Sequence, residues 1–163
     1  MTTDYYNVIK QFSDKLPKFP DGRINYSGTN RAPVINALVK YRDEILILKR
    51  SDKVANYKGK WNSIGGFLDE AKPLKQKVLE EVNEELGITE DEIEEARLFE
   101  SYVFYDESID KTWISFPALI ELKVKPEIKL DQEHTDYKWI KPEDLKKYEF
   151  IPGLDEAIKK ILK

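Results

Sequence analysis

The spacing of apolar residues changes several times along the chain, and each change marks an element. Tyr5, Val8, Ile9, Phe12 and Leu16 recur at three- and four-residue intervals. That is one face of a helix, and it ends at Leu16-Pro17 because the residue before a proline is pushed out of the helical region. From Phe19-Pro20-Asp21-Gly22 to Gly28 the chain is rich in turn residues, so residues 1–30 read as an N-terminal extension ahead of a domain spanning 31–163. The extension is expected to pack on that domain or on a second copy in a homodimer. Val34 to Val39 and Glu44 to Lys49 are β-rich runs joined by the polar Lys40-Tyr41-Arg42-Asp43, which predicts an antiparallel hairpin. Leu98 to Tyr105 and Thr112 to Val124 are strand-like around a loop at Asp106 to Lys111, and Tyr137 to Ile140 is a further short strand. Pro117 implies a bulge or an edge in the second of these runs. Thr89 and Glu92 have capping-box spacing, predicting a helical turn through Ala96. Pro142 opens one late helix, and Leu154, Ala157, Ile158, Ile161 and Leu162 form the apolar stripe of another.

The strongest helix lies between the strand runs. Pro73 fits a first helical position and Gly87 the left-handed residue that ends a helix, so the helix is expected from about Pro73 to Leu86. Leu74, Val78, Val82 and Leu86 fall within one arc, which should pack on a sheet, and Glu81 and Glu85 lie at its border. Glu80/Glu84 and Glu81/Glu85 are like-charge i,i+4 pairs, each destabilising by roughly 0.2–0.5 kcal/mol. A cation would remove that penalty. Carboxylates at i, i+3 and i+4 beside the Gly65-Gly66 turn make an oxygen cage suited to Mg²⁺, which keeps several waters and shares its shell with substrate phosphates. The plain alternative is a solvated acidic face, common in a chain with 36% charged residues. Strand runs on either side of one strong helix, with helices at the chain ends, predict an α/β fold whose mixed sheet is covered on both faces.

Composition narrows the classes. A chain of 163 residues with 40% hydrophobic content is sized for one domain with a substantial core. A net charge of −4 argues against a nucleic-acid polymer as partner but leaves room for a small phosphorylated ligand on a local basic patch. No apolar run approaches the roughly 18 residues of a membrane span, and Met1 to Tyr6 has no basic segment leading into a hydrophobic one, so a cytoplasmic protein without membrane contact is expected. With no cysteine and one histidine, thiol chemistry and sulfur-ligated zinc are excluded, and oxygen ligands are expected to carry the chemistry. The basic loop from Arg50 to Lys60 could line a phosphate channel, with Arg50, Lys58, Lys60 and the following Trp61 as candidate substrate contacts. An ordinary lysine-rich surface loop is an equal expectation for the lysines, and a core position is the stronger one for Trp61. Tyr57 is the other candidate for stacking on a base.

The stretch from Gly66 to Ile88 resembles the box of the Nudix hydrolases. Gly66 opens it, Glu81, Glu84 and Glu85 match its three carboxylates, Val82 and Ile88 its aliphatic positions and Gly87 its closing glycine. Trp61 ahead of the glycines and the closing strand Glu133 to Trp139 are weaker points of similarity. Two positions depart from the pattern, with Lys72 where the family has glutamate and Glu80 where it has arginine. The resemblance implies an α/β/α sandwich and hydrolysis of a nucleoside diphosphate linked to another group, by attack of water on phosphorus. It implies that Glu81, Glu84, Glu85 and the Gly65 carbonyl hold Mg²⁺ or Mn²⁺. It also implies a glutamate outside the box as ligand or general base, for which Glu133, six residues before Trp139, is the candidate beside Glu81. Asp131 and Asp136 compete for that role, while His134 has a pKa suited to base catalysis but sits where an incidental loop histidine is commoner. Lys72 and Glu80 could exchange sign and keep a contact, with Lys77 a further cation one turn away. The alternative is a Nudix-fold module that binds nucleotide with little or no turnover. The isopentenyl diphosphate isomerases share the fold, but they rely on a cysteine this chain lacks.

Overall fold

The computed structural model describes residues 2–163; Met1, at the start of the expected extension, lies outside the described residues. A helix α1 (Thr2–Lys15) precedes two long strands, β1 (Arg31–Tyr41) and β2 (Glu44–Arg50), which form the predicted hairpin with Tyr41 opposite Glu44. Arg42 turns the corner at φ 54°. After a loop come β3 (Trp61–Asn62) and β4 (Ile64–Phe67), and then α2 (Leu74–Leu86). The remaining strands are β5 (Ile93–Leu98), β6 (Tyr102–Asp106), β7 (Lys111–Leu122) and β8 (His134–Ile140), and α3 (Leu154–Ile161) closes the chain.

All eight strands belong to one mixed sheet with the order β3-β2-β1-β7-β5 at its heart; β4 pairs with β1, β6 with β7 and β8 with β2. Only the central β1/β7 pair is parallel, in register from Arg31 opposite Thr112 to Lys40 opposite Glu121. Adjacent strand residues point to opposite faces, and the two buried clusters divide accordingly. Val39, Leu46, Leu48 and Ile120 pack in the cluster that takes the apolar side of α2 and the α1 residues Tyr5 and Ile9. Their neighbours Leu38, Ile45, Ile47 and Leu119 pack with Leu154, Ala157, Ile158 and Ile161 of α3. The sheet is therefore covered on both faces, an α/β/α sandwich.

Four local expectations need correction. Pro73 is the N-cap of α2 (φ −54°, ψ 135°) and not its first helical residue. The capping box at Thr89 and Glu92 forms, but the helical turn stops at Glu92, because Ile93 enters an extended strand on β7 instead of continuing to Ala96. The strand expected from Leu98 to Tyr105 is two strands, β5 and β6, broken at 99–101. Pro117 sits opposite Asn36 in the middle of the sheet, with neither bulge nor edge in its own strand. Its carbonyl accepts the Phe99 N–H at 2.9 Å, and in a ladder a residue's N–H and C=O serve the same side. The N–H that proline lacks thus faces the break between β5 and β6, where no partner strand asks for it.

Candidate active site

Three consecutive carbonyls lead into α2, and each is held by the N-terminal segment. Tyr26 Oη donates to the Leu68 carbonyl at 2.6 Å, the Ile24 N–H to that of Asp69 at 2.9 Å and Tyr5 Oη to that of Glu70 at 3.1 Å. On the far side, Gly65 and Gly66 pair with Asn36 and Ile35 of β1. The start of α2 is therefore fixed by the sheet and by the N-terminal segment together. Gly87 ends the helix at φ 74°, its N–H on the Asn83 carbonyl, and Leu74, Val78, Val82 and Leu86 are buried.

Lys77, Glu81 and Glu85 follow at four-residue steps and form one ridge along α2. Glu81 rests against the glycine turn: a Cβ on residue 66 would lie 3.0 Å from its carboxyl carbon and 3.0 Å from Oε2. Gly66 is the residue that admits this approach. Burial, followed by the charge of Glu84, pushes the Glu81 carboxyl up to about 7. Glu85 is 3% exposed, and burial raises its pKa well above the usual carboxylate range, with Glu81 next among the causes. Its Oε2 is buried without a hydrogen-bond partner. Glu84 is exposed beside them. Two carboxyls that burial and repulsion hold against ionisation, one with an orphaned oxygen, fit the donor set that a divalent cation satisfies.

The cations around this ridge are placed unexpectedly. Lys77 is buried, with Nζ 2.9 Å from Glu70 Oε1, 3.1 Å from Asp69 Oδ1 and 4.0 Å from Glu81 Oε1. Burial pulls its pKa down, but its hydrogen bonds to Glu70 and Asp69 and their charges outweigh that and hold it charged. Lys72 Nζ lies 3.1 Å from Glu80 Oε1 and 3.4 Å from Glu70 Oε2. Arg50, half-buried at the end of β2, donates from Nε to the Asn56 carbonyl at 3.0 Å. Burial lowers its pKa, opposed by the charges of Glu133 and Glu85. Glu133 is exposed; its N–H donates to Asp131 Oδ1 at 3.1 Å and its carbonyl accepts the Ser51 N–H at 2.8 Å.

The other expected substrate contacts are not gathered here. Trp61 faces the α3 side of the sheet, edge-on to Tyr148 at 5.4 Å with Lys138 over its ring, whereas its neighbour Asn62 faces the glycine turn. The period of two in β3 directs Trp61 away from Glu81 and into packing on the α3 side of the sheet. Lys60 is ion-paired with Glu149 at 2.5 Å beside Trp61, and Lys58 is exposed on the loop. Tyr57 donates to Asp106 at 2.5 Å and accepts from Trp113 Nε1 at 3.3 Å.

Two further groups lie at this site. His134, read from the sequence as incidental, is buried, with Nδ1 2.9 Å from Asp131 Oδ1 and Nε2 3.7 Å from Glu85 Oε1. Phe67, one residue past the glycine turn, is 43% exposed and stacks on Tyr26 at 5.4 Å, with Trp113 at 6.2 Å. An aromatic directly after Gly65-Gly66 is the sequence signal available for the second. For His134 the sequence offers its chemistry but not its contact with Glu85, because only tertiary structure brings β8 to α2.

Comparison with known proteins agrees with this geometry. The NUDIX domain family matches residues 30–161. Nucleoside triphosphatase NudI of Escherichia coli (strain SE11) is 28% identical over 141 residues, covering 80% of this chain and 93% of that protein. The MutT protein of Methanosarcina mazei Go1 superposes with a TM-score of 0.66 at 26% identity, covering 81% of this chain and 93% of that one. A bifunctional NMN adenylyltransferase/ADP ribose pyrophosphatase of Francisella tularensis, complexed with AMP and a Mn ion, gives a TM-score of 0.67 at 23% identity over 99% of this chain and 46% of its own. With all but the N-terminal segment matched, the chain belongs to the NUDIX domain family and is a pyrophosphohydrolase of the Nudix type.

Proposed function

We propose that the chain hydrolyses a nucleoside diphosphate linked to a further group, with Mg²⁺ or Mn²⁺ held by Glu81, Glu84, Glu85 and the Gly65 carbonyl. The observation that carries this is the Glu81/Glu85 ridge, where one carboxylate is pressed on Gly66 and the other is buried with an unsatisfied oxygen. A bound divalent cation supplies Lewis acidity and charge neutralisation at the diphosphate. The protein's own groups do the rest. Arg50 offers a half-buried guanidinium, close enough to Glu133 and Glu85 to feel their charges, to meet a phosphate. Glu133, exposed beside them, or Glu81, whose carboxyl sits near neutrality, takes the proton of the attacking water as its oxygen bonds to phosphorus and the bridging P–O bond breaks. The products are a nucleoside monophosphate and the phosphorylated remainder. Phe67, exposed directly after the glycine turn, would stack on the base.

The name of the relative NudI makes nucleoside triphosphates the first substrates to try, since each is a nucleoside diphosphate carrying a further phosphate. The test is product analysis after incubation with Mg²⁺ or Mn²⁺ and a panel of triphosphates, nucleotide sugars, ADP-ribose and dinucleoside polyphosphates. Monophosphate release from at least one member is expected. No turnover of any, with nucleotide binding retained, would favour a binding module, a reading that Glu80 in the arginine position supports.

A further inference from the structure

The loop before β8 is folded around one carboxylate. Asp131 Oδ1 accepts the Glu133 N–H at 3.1 Å and lies 2.9 Å from His134 Nδ1. Ser51 fastens the same loop to the end of β2, donating from Oγ to the Gln132 carbonyl at 3.0 Å and from N–H to that of Glu133 at 2.8 Å. The β2/β8 register shifts between Lys49 and Arg50, where Arg50 meets His134, and an irregularity of this kind re-aims side chains. The His134 imidazole is thereby turned inward toward α2, with its side chain 2% exposed, against a Glu85 side chain that is 4% exposed.

A carboxylate can only accept, so Nδ1 donates to Asp131 and the lone pair of a neutral imidazole is left on Nε2. That nitrogen faces Glu85 Oε1 across 3.7 Å. Two acceptors facing each other in a buried place need something positive between them. A proton would draw them to about 2.7–3.2 Å, the range of a hydrogen bond, and the gap is wider than that. Two donors sharing one cation at about 2.1 Å each stand about 3.0–4.2 Å apart, depending on the angle between them. Glu85 Oε2, buried and without a partner, supplies a second and independent sign that the pair is incomplete. Donor atoms of Glu85, Asp131 and His134 lie within 4.8 Å of one another.

We propose that His134 Nε2 is a cation ligand alongside Glu85, oriented by Asp131 through Nδ1, and that this nitrogen makes the site prefer Mn²⁺, Co²⁺ or Zn²⁺ to Mg²⁺. The inference rests on the reading of Glu81, Glu84 and Glu85 as a metal site and adds to it a ligand that an all-oxygen cage lacks. Mg²⁺ takes oxygen almost exclusively, whereas imidazole nitrogen suits the later divalent ions. A carboxylate on the other ring nitrogen is the usual device for fixing such a ligand's tautomer and basicity.

The chain has a single histidine, so its imidazole signals are unambiguous. Nitrogen-15 NMR of the full-length protein with Zn²⁺ is expected to move Nε2 to the position of a metal-bound nitrogen while Nδ1 keeps its proton, and Mg²⁺ is expected to leave both nearly in place. In calorimetric titration, Mn²⁺ and Co²⁺ are expected to bind at least tenfold more tightly than Mg²⁺. His134→Gln is expected to lower the Mn²⁺ and Co²⁺ affinities tenfold or more while changing that for Mg²⁺ less than threefold. An Nε2 signal unmoved by Zn²⁺, or a His134→Gln variant that loses all three cations equally, overturns the assignment and leaves the carboxylate site standing. A wild-type protein that binds none of these cations overturns the carboxylate site as well.

Discussion

Lys72 and Glu80 face each other at 3.1 Å, so the two box positions that depart from the Nudix pattern are in contact with their charges exchanged. The Lys72 side chain is 36% exposed and that of Glu80 32%, so solvent screening keeps the pair weak as a source of stability. Glu80→Arg alone should set two cations together and lower metal affinity or turnover, and adding Lys72→Glu should restore most of the loss. Additive effects in this double-mutant cycle would show that the pair does not act as a unit. A rise in hydrolysis from Glu80→Arg alone would instead mark a weakened enzyme.

Lys77 is the cation nearest Glu81, and it is buried where Lys72 is not. Lys77→Met should destabilise the protein by about 3 kcal/mol, because Asp69 and Glu70 lose their buried partner. Denaturant titration measures it. A cost under about 1 kcal/mol would mean that those carboxylates find solvent or other donors.

Gly66→Ala tests the close approach of Glu81. A Cβ 3.0 Å from the carboxylate displaces that side chain, so turnover should fall about tenfold to a hundredfold while the melting temperature changes little. Full activity in the variant would show that Glu81 works from another position.

Without metal, stability should fall as pH rises through the range in which Glu81 ionises. Below its ordinary value of 4.5, folded and unfolded chains both hold the proton. Between 4.5 and about 7 the unfolded chain releases it and the folded chain retains it, which costs on the order of 3 kcal/mol by neutrality. Glu85, also raised by burial, acts in the same direction. Saturating Mg²⁺ or Mn²⁺ should raise the melting temperature most at neutral pH and narrow its difference from about pH 5. Glu85→Gln should stabilise the metal-free protein and blunt that response. A melting temperature indifferent to millimolar cation would remove the metal site from consideration.

Phe67→Ala should raise KM for nucleotide several-fold with a smaller change in kcat, whereas removal of Trp61 should act through stability. Equal effects on KM from both would return Trp61 to the list of substrate contacts.

The hairpin, α2 with its closing Gly87, and α3 were legible because each carries its own period and its own end signals. The carboxylate ridge was legible for the same reason, since positions four apart on a helix must adjoin. What could not be read was whatever depends on a partner distant in the chain. Ile93 to Ala96 continue a capped turn by local preference and become strand because β7 offers a ladder. Trp61 precedes the glycines in sequence yet points to the other face, and His134 meets Glu85 across 48 intervening positions.

The three carbonyls of Leu68, Asp69 and Glu70 are all gripped from the segment that precedes the family match. Asp69 and Glu70 are also the residues whose side chains hold Lys77, which in turn stands beside Glu81. The segment therefore acts as a tensioner on the stretch that leads into α2, reaching the carboxylates at second hand through Asp69, Glu70 and Lys77. A polypeptide started at residue 30 would keep every residue of the box and lose the tuning of its charges. It would be complete by family likeness and slack in operation.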